Sequence, residues 1–261
     1  MNLEAALALL ASPAPPSLAA RVDAATGLAD LQLVVDGPTG PLRVAFGQAG
    51  ASLVAPAVTA SPDDEHQFAE AFAARYPQRR LHRAPPGTPL PRALLSALSG
   101  GKTPRCDLSS CTPFQRAVLE KAAQIPRGQV RSYGWVAREV GHHGATRAVG
   151  TALGRNPVPV LVPCHRVVRT DGHIGNYALG PDAKRRLLAA EGVDLDELAR
   201  LAASGARFTG VTTTGVFCLP TCHHVRRSTP AHRVMFPSAQ LAADAGYRPC
   251  LSCRPAPVST A

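Results

Sequence analysis

Short apolar runs separated by turn residues give way, beyond residue 60, to apolar positions spaced three and four apart. Residues 31–36, 42–46 and 51–55 are apolar-rich runs divided by Gly37-Pro38-Thr39-Gly40-Pro41 and Gly47-Gln48-Ala49-Gly50, which predicts a meander of antiparallel strands. Ser61 then offers a helix cap with Pro62 at the first helical position, and Phe68, Phe72 and Tyr76 recur along one stripe, marking core. Residues 84–91, rich in proline, break the chain as a hinge or linker. A short helix ending at Leu98 before Gly100-Gly101 closes a region without chemistry of its own.

Helical signals dominate the next stretch. Thr112-Pro113-Phe114-Gln115 is a capping box opening a helix whose apolar positions include Phe114, Val118 and Ala122. Ser132 caps a second helix over 132–140, ended by Gly141, and a third covers 145–153, so the pair is a helix-turn-helix candidate. Small residues, Ala145, Ala148, Gly150, Thr151 and Ala152, surround the single long side chain of Arg147. Such a surface suits close approach to a narrow DNA groove, and equally suits tight packing on another helix.

Between Asn156 and Val168 one thiol, Cys164, stands between Pro163 and His165-Arg166 inside an apolar segment. Pro159 and Pro163 predict a stiff, extended arm rather than a ladder strand. A thiol needs a base or positive charge to react as thiolate, and both stand next to it in sequence; a buried core cysteine is the other reading. Later come a turn at Arg169-Thr170-Asp171-Gly172, a helix begun by Pro181 that ends near Glu191, and a short charged helix from Asp194 to about Ala203.

Composition sharpens this picture. With 45% hydrophobic residues over 261, the chain can bury one large or two modest cores. The net charge of +10 points to an anionic partner, nucleic acid or a membrane surface. Residues 1–100 carry 7 basic against 8 acidic side chains, 101–200 carry 15 against 9, and 201–261 carry 6 against 1, which locates that partner on the second half; an arginine-rich composition also follows from a GC-rich genome. The short apolar run at 5–10 lacks a preceding cation, so neither a secretory signal nor a membrane span is expected, and the chain reads as cytoplasmic. Seven cysteines, an odd number, argue for a reducing compartment, with Cys106 and Cys111 as ordinary structural residues.

The string Asn156-Pro157-Val158-Pro159 followed by Pro163-Cys164-His165-Arg166-Val167-Val168 resembles the active-site signature of the O6-alkylguanine-DNA alkyltransferase family. The resemblance covers roughly residues 25–193 and implies an α+β alkyltransferase fold. That fold has an N-terminal antiparallel-sheet subdomain of ribonuclease-H-like form and a helical catalytic subdomain of winged helix-turn-helix type. It implies Cys164 as the alkyl acceptor, His165 oriented by Glu191, and Asn156 tying the helix-turn-helix to the cysteine arm. Tyr133 would hydrogen-bond the flipped base, and Arg147-Ala148-Val149-Gly150 would meet DNA, with Arg147 displacing the base. Pro159, Val167, Gly175, Tyr177 and Ala178 would wall the base pocket, and Leu179 stands where the family usually has glycine. The implied partner is double-stranded DNA carrying O6-alkylguanine or O4-methylthymine, held by a monomer associated with the nucleoid.

Cys218-x3-Cys222 and Cys250-x2-Cys253 are two close pairs of the kind that hold tetrahedral zinc; a redox pair or chance spacing are the alternatives. Thr213-Thr214-Gly215-Val216-Phe217-Cys218 and Ala245-Gly246-Tyr247-Arg248-Pro249-Cys250 resemble the zinc domain of the bacterial adaptive-response protein Ada. That likeness implies a small α/β zinc module in which Cys218 is a possible second methyl acceptor, from DNA methylphosphotriesters. Leu219 replaces a common arginine, and His223 and His224 are expected to be solvated. With no second helix-turn-helix pair, repair or DNA docking is expected rather than transcriptional activation.

The expected organisation is a leader (1–24), a scaffold subdomain (25–104), a catalytic DNA-binding domain (105–194), a linker helix (195–206) and a zinc domain (207–258). The expected function is stoichiometric alkyl transfer by a methylated-DNA–protein-cysteine methyltransferase, with zinc and no organic cofactor. A non-catalytic sensor or regulator of alkylated DNA that docks through the zinc domain is the competing class.

Overall fold

A computed structural model describes residues 16–57, 62–171 and 173–255. These form two compact units, one made of the described residues up to 95 with 104–110 and the other of 96–103 with the described residues from 111 on.

In the first unit, β1 (Ala29–Gly37), β2 (Gly40–Gly47) and β3 (Gly50–Pro56) form the expected antiparallel meander. The sheet is not purely antiparallel. β4 (Arg80–Arg83) pairs parallel to β1 after the crossover helix α2 (Pro62–Arg75), giving the order β3-β2-β1-β4. Residues 80–83 escape a period-two reading because Arg80, His82 and Arg83 leave Leu81 as their single apolar member. A helix, α1 (Pro16–Thr26), occupies part of the proline-rich stretch expected as leader. The cap expected at Ser61 lies outside the described residues.

The stripe on α2 is core, as its spacing predicts: Phe68, Phe72 and Tyr76 pack on Ala45 and Leu53 of the sheet. Below it, Arg79 donates to Asp107 at 2.8 Å and to Asp30 at 3.1 Å, and the Tyr76 hydroxyl donates to the Asp107 carbonyl at 3.0 Å. Two buried carboxylates sharing one guanidinium tie the strand β1 to the 104–110 segment.

The second unit opens with a strand-free helical layer. After α3 (Arg92–Leu98), α4 (Pro113–Ala123) is capped as expected, Thr112 Oγ1 accepting from the Gln115 amide at 3.2 Å. Ser132 likewise caps α5 (Tyr133–Glu139), and α6 (Thr146–Gly154) follows across a turn. Val118, Leu119, Ala122, Val136 and Val149 are buried among these helices. Two-residue strands β5 (Arg131–Ser132) and β6 (Val167–Val168) pair in parallel, placing the start of α5 beside the segment that follows Cys164. Next come α7 (Pro181–Ala190) and α8 (Leu195–Ala203), the latter capped by Asp194.

The remaining residues build a four-stranded sheet from β7 (Phe208–Val211), β8 (Val216–Cys218), β9 (Arg233–Phe236) and β10 (Arg248–Pro249), ordered β10-β8-β7-β9. Short helices α9 (His223–Arg227) and α10 (Ala239–Asp244) complete it. No helix among the described residues is long and apolar enough to cross a membrane.

Phe72 is 1% exposed at the centre of the first unit's core. Phe72→Ala is expected to lower that unit's stability by about 3–5 kcal/mol, read by far-UV circular dichroism in urea. Trp135, the single tryptophan, sits in the other unit and its emission should not follow that loss.

Candidate functional site

The cysteine segment is not the extended arm that its prolines suggest. Val160 adopts φ 74°, rare for a β-branched residue, and the Val162 amide donates back to the Val158 carbonyl at 2.9 Å, folding residues 158–162 into a tight loop. Pro159 and Pro163 supply rigidity, but loop closure decides the path. Asn156 holds the loop from inside: its Nδ2 donates to the Val162 carbonyl and to Cys164 Sγ, each at 3.0 Å, while its Oδ1 accepts from the Val158 amide. Cys164 itself begins a single 3-10 turn (Cys164–Arg166) and is 4% exposed.

Burial pushes the Cys164 thiol up to about 11, against which the Asn156 hydrogen bond and the nearby Lys184 charge work. At neutral pH the resting group is therefore a thiol that needs a base. His165 is neutral there, because burial lowers its pKa more than Glu191 raises it. Its Nε2 lies 3.0 Å from Glu191 Oε1, and its Nδ1 is buried with no partner among the described residues. Glu191 is shared: Arg166 reaches it through Nε at 2.9 Å and Nη2 at 2.7 Å, and the Gly128 amide donates to it at 3.2 Å. Burial opposes ionisation of Glu191, but hydrogen bonds from His165 and Arg166 hold its carboxyl at about 2.

A cleft of about 1010 Å³ opens on Cys164. Tyr133, Arg147, Gly150, Gly175, Tyr177 and Ala178, all expected from sequence, line it. Gly175 is required there. Its φ is 72°, and a Cβ would fall 3.0 Å from the Tyr133 hydroxyl. Arg147 and Ala148 are exposed on α6, and Arg147 lines the cleft. Pro159 and Val167, expected on the pocket wall, do not line it: Pro159 closes the cysteine loop in a bridge to Val162, and Val167 is buried in β6.

Sequence reasoning passed over Lys184. It is fully buried, its Nζ donating to the Val167 carbonyl at 2.6 Å and the Asn176 carbonyl at 3.3 Å, and burial brings its pKa down to about 8. The signal was available in the helical spacing Lys184, Leu187, Leu188, Glu191, which puts a cation on the apolar face of α7. Arg166, which the motif marks only by its place after His165, binds the same carboxylate as His165 and also the Ile125 carbonyl.

Cys218, Cys222, Cys250 and Cys253 are buried, and their sulfurs lie within 4.8 Å of one another. Tetrahedral Zn–S bonds of about 2.3 Å need sulfurs about 3.8 Å apart, so the set fits zinc. Hydrogen bonds to Cys222 and Cys253, with burial, drive the Cys218 thiol far above its ordinary range: four sulfurs so close ionise together only around a cation. The Leu219 amide points at Cys253 Sγ from 3.3 Å, a donor suited to a zinc-bound thiolate. His223 and His224 stay outside the cluster. A cavity of about 530 Å³ beside Cys218 is lined by Arg227 and Arg248.

Residues 113–193 match the family described as "6-O-methylguanine DNA methyltransferase, DNA binding domain", and residues 199–256 match the "Metal binding domain of Ada". Among similar proteins, the methylated-DNA–protein-cysteine methyltransferase of Methanothermobacter thermautotrophicus is 47% identical over 90 residues, 34% of this chain and 50% of that one. Its namesake from Salmonella typhimurium is 49% identical over 81 residues, 31% of this chain and 47% of that one. The chain thus spans about half the length of the curated relatives it matches. The crystal structure of O6-methylguanine-DNA methyltransferase from Pyrococcus kodakaraensis superposes with a TM-score of 0.50 at 27% identity, over 63% of this chain and 99% of that one.

A carboxyl held at about 2 against an ordinary 4.5 contributes stability that is complete above the ordinary value and is lost as pH falls towards 2. The full contribution is on the order of 3 kcal/mol, and about 2 kcal/mol of it should be gone by pH 3. Urea unfolding of the second unit, followed by Trp135 emission from pH 6 to pH 3, should show this slope in the natural chain and a flatter one in Glu191→Gln.

Proposed function

We propose, for a chain whose residues 113–193 belong to the 6-O-methylguanine DNA methyltransferase family and whose residues 199–256 belong to the metal-binding domain of Ada, that it repairs DNA by taking alkyl groups onto its own thiols. The observation that carries the reading is one juxtaposition: Cys164 lines a cleft large enough for a nucleobase, with the Asn156 amide on its sulfur and the His165–Glu191 pair beside it.

The substrate is O6-alkylguanine in double-stranded DNA, with O4-methylthymine as a second substrate, and the protein acts as a monomer at the nucleoid. A lesion inside the stack is beyond any thiol's reach, so the base must rotate out at a cost of a few kcal/mol. Arg147, exposed at the mouth of the cleft on a small-residue helix, fills the gap left in the stack. Tyr133 hydrogen-bonds the flipped base. His165, whose Nε2 is engaged by Glu191, accepts the thiol proton at Nδ1 through a bridging water. Glu191 keeps that ring in one tautomer; because Arg166 already neutralises much of its charge, orientation is its main contribution. As the Sγ–C bond forms, the O6–C bond breaks, its electron pair leaves with the guanine oxygen, and a proton restores the base. A thioether does not release the alkyl group, so each chain acts once.

The zinc module carries the second reaction, methyl transfer from a DNA methylphosphotriester to Cys218. Sequence offers only Leu219 where relatives carry arginine. Arg227 and Arg248 supply cations at the cavity beside Cys218 and suit phosphate. Zinc, when bound, keeps Cys218 ionised and nucleophilic. A sensor without catalysis would have no use for a thiol braced by Asn156 and a paired histidine.

Incubation with an O6-methylguanine duplex should place one methyl group per chain on the peptide holding Cys164, detected by mass spectrometry, with no further turnover. Cys164→Ala should abolish the adduct, and Arg147→Ala should slow its formation by roughly tenfold or more while leaving folding intact. DNA bearing methylphosphotriesters should methylate Cys218 alone. Absence of the first adduct sinks the alkyltransferase reading, and absence of the second leaves the zinc module a docking role.

A further inference from the structure

The zinc module is stitched to the element that carries Tyr133. Trp135 Nε1, on α5, donates to the carbonyls of Cys253 at 3.0 Å and Arg254 at 3.1 Å. The Val130 amide donates to Thr221 Oγ1 at 3.0 Å, and Arg254 Nη2 meets Glu139 Oε2 at 2.6 Å at the far end of α5. One zinc ligand is therefore bonded through its own carbonyl to the third residue of a helix whose first residue lines the Cys164 cleft.

Arg131 lies at the centre of this seam. It is 3% exposed, its hydrogen bonds go to the neutral Val130 carbonyl and the Gln129 side-chain oxygen Oε1, and its Nε is buried without a partner among the described residues. Its guanidinium stands 5.4 Å from the Trp135 ring. A buried charge in that state is costly unless something balances it. The chain on both sides of it is bonded to the four-cysteine cluster: Val130 exchanges hydrogen bonds with Thr221, the residue before Cys222, and the Trp135 that it faces donates to the Cys253 carbonyl. Four thiolates around a divalent cation leave two negative charges in excess, which is what an unpaired buried guanidinium requires. Arg131 also belongs to β5, whose partner β6 directly follows the Cys164–Arg166 turn.

We propose that Arg131 is the counter-charge of the four-cysteine zinc site, and that through it and the Trp135 contact the charge of that site positions α5, Tyr133 and the strand beside Cys164. Losing the metal, or converting one thiolate into a thioether, removes part of the balance for Arg131 and loosens β5 and the start of α5. The two thiol sites are then coupled in one direction that matters: the state of the zinc module sets the readiness of the Cys164 cleft. The proposal rests on the zinc site and does not depend on which alkyl group either thiol accepts.

The full-length protein supplies its own probe, because Trp135 is the single tryptophan. Stripping zinc with a chelator should shift Trp135 emission and lower hydrogen-exchange protection over residues 131–139 and 164–168 by tenfold or more, and adding zinc back should restore both. Arg131→Met should weaken zinc binding roughly tenfold or more in competition with a chromophoric chelator, with Arg131→Lys recovering most of it. Single-turnover transfer from an O6-methylguanine duplex should slow several-fold in the stripped protein and recover with zinc. Unchanged emission and exchange on metal removal would overturn the proposal even if Arg131→Met fails to fold, and so would zinc affinity equal to the natural chain's in a folded Arg131→Met. A protein that transfers no methyl group with zinc bound, yet shows the emission and exchange changes, refutes the transferase reading and leaves the coupling standing.

Discussion

Glu191 is the group on which the second unit converges. Its carboxylate accepts from His165, from Arg166 and from the Gly128 amide, while Arg166 also fastens the end of α4 through the Ile125 carbonyl. A carboxylate buried to 9% exposure is tolerable only because two cationic or polar side chains and a backbone donor surround it. The same arrangement leaves His165 with one ring nitrogen occupied and the other available. Remove the carboxylate and Arg166 becomes an uncompensated buried cation directly beside the reactive thiol.

The chain holds two kinds of thiol activation. Cys164 rests protonated in an apolar loop, at about 11, with the Asn156 amide donating to its sulfur. Cys218 sits among three other cysteines where ionisation is possible only around a cation. The first environment keeps its thiol protonated at neutral pH. The second stands beside a cavity lined by Arg227 and Arg248.

Motif-level chemistry was legible where local rules act. Thr112 and Ser132 cap their helices as their spacings require, the Phe68, Phe72, Tyr76 stripe is core, and the four cysteines of two short spacings meet in one cluster. Less visible were the features set by partners far along the chain. β4 carries almost no apolar pattern because its identity comes from pairing with β1, Arg80 opposite Ala29 51 residues earlier, that is, from register rather than composition. The bend at Val160 was hidden by prolines that argue for extension, since closure of the loop on Asn156 outweighs the preference of one β-branched residue.

By itself the sequence determined which residues could do chemistry: a thiol beside a histidine, a lone arginine on a small-residue helix, and four cysteines in two pairs. Residue type and short spacing suffice for that, because caps, helical faces and metal chelates are built within a few residues. Only the tertiary structure decided that Arg166 shares Glu191 with His165, that Lys184 is buried near Cys164, and that Arg131 is buried against the Trp135 that bonds the Cys253 carbonyl. Those are relations between charges brought together across tens of residues, where burial makes each unpaired group costly, and no local pattern in the chain records which group will end up opposite which.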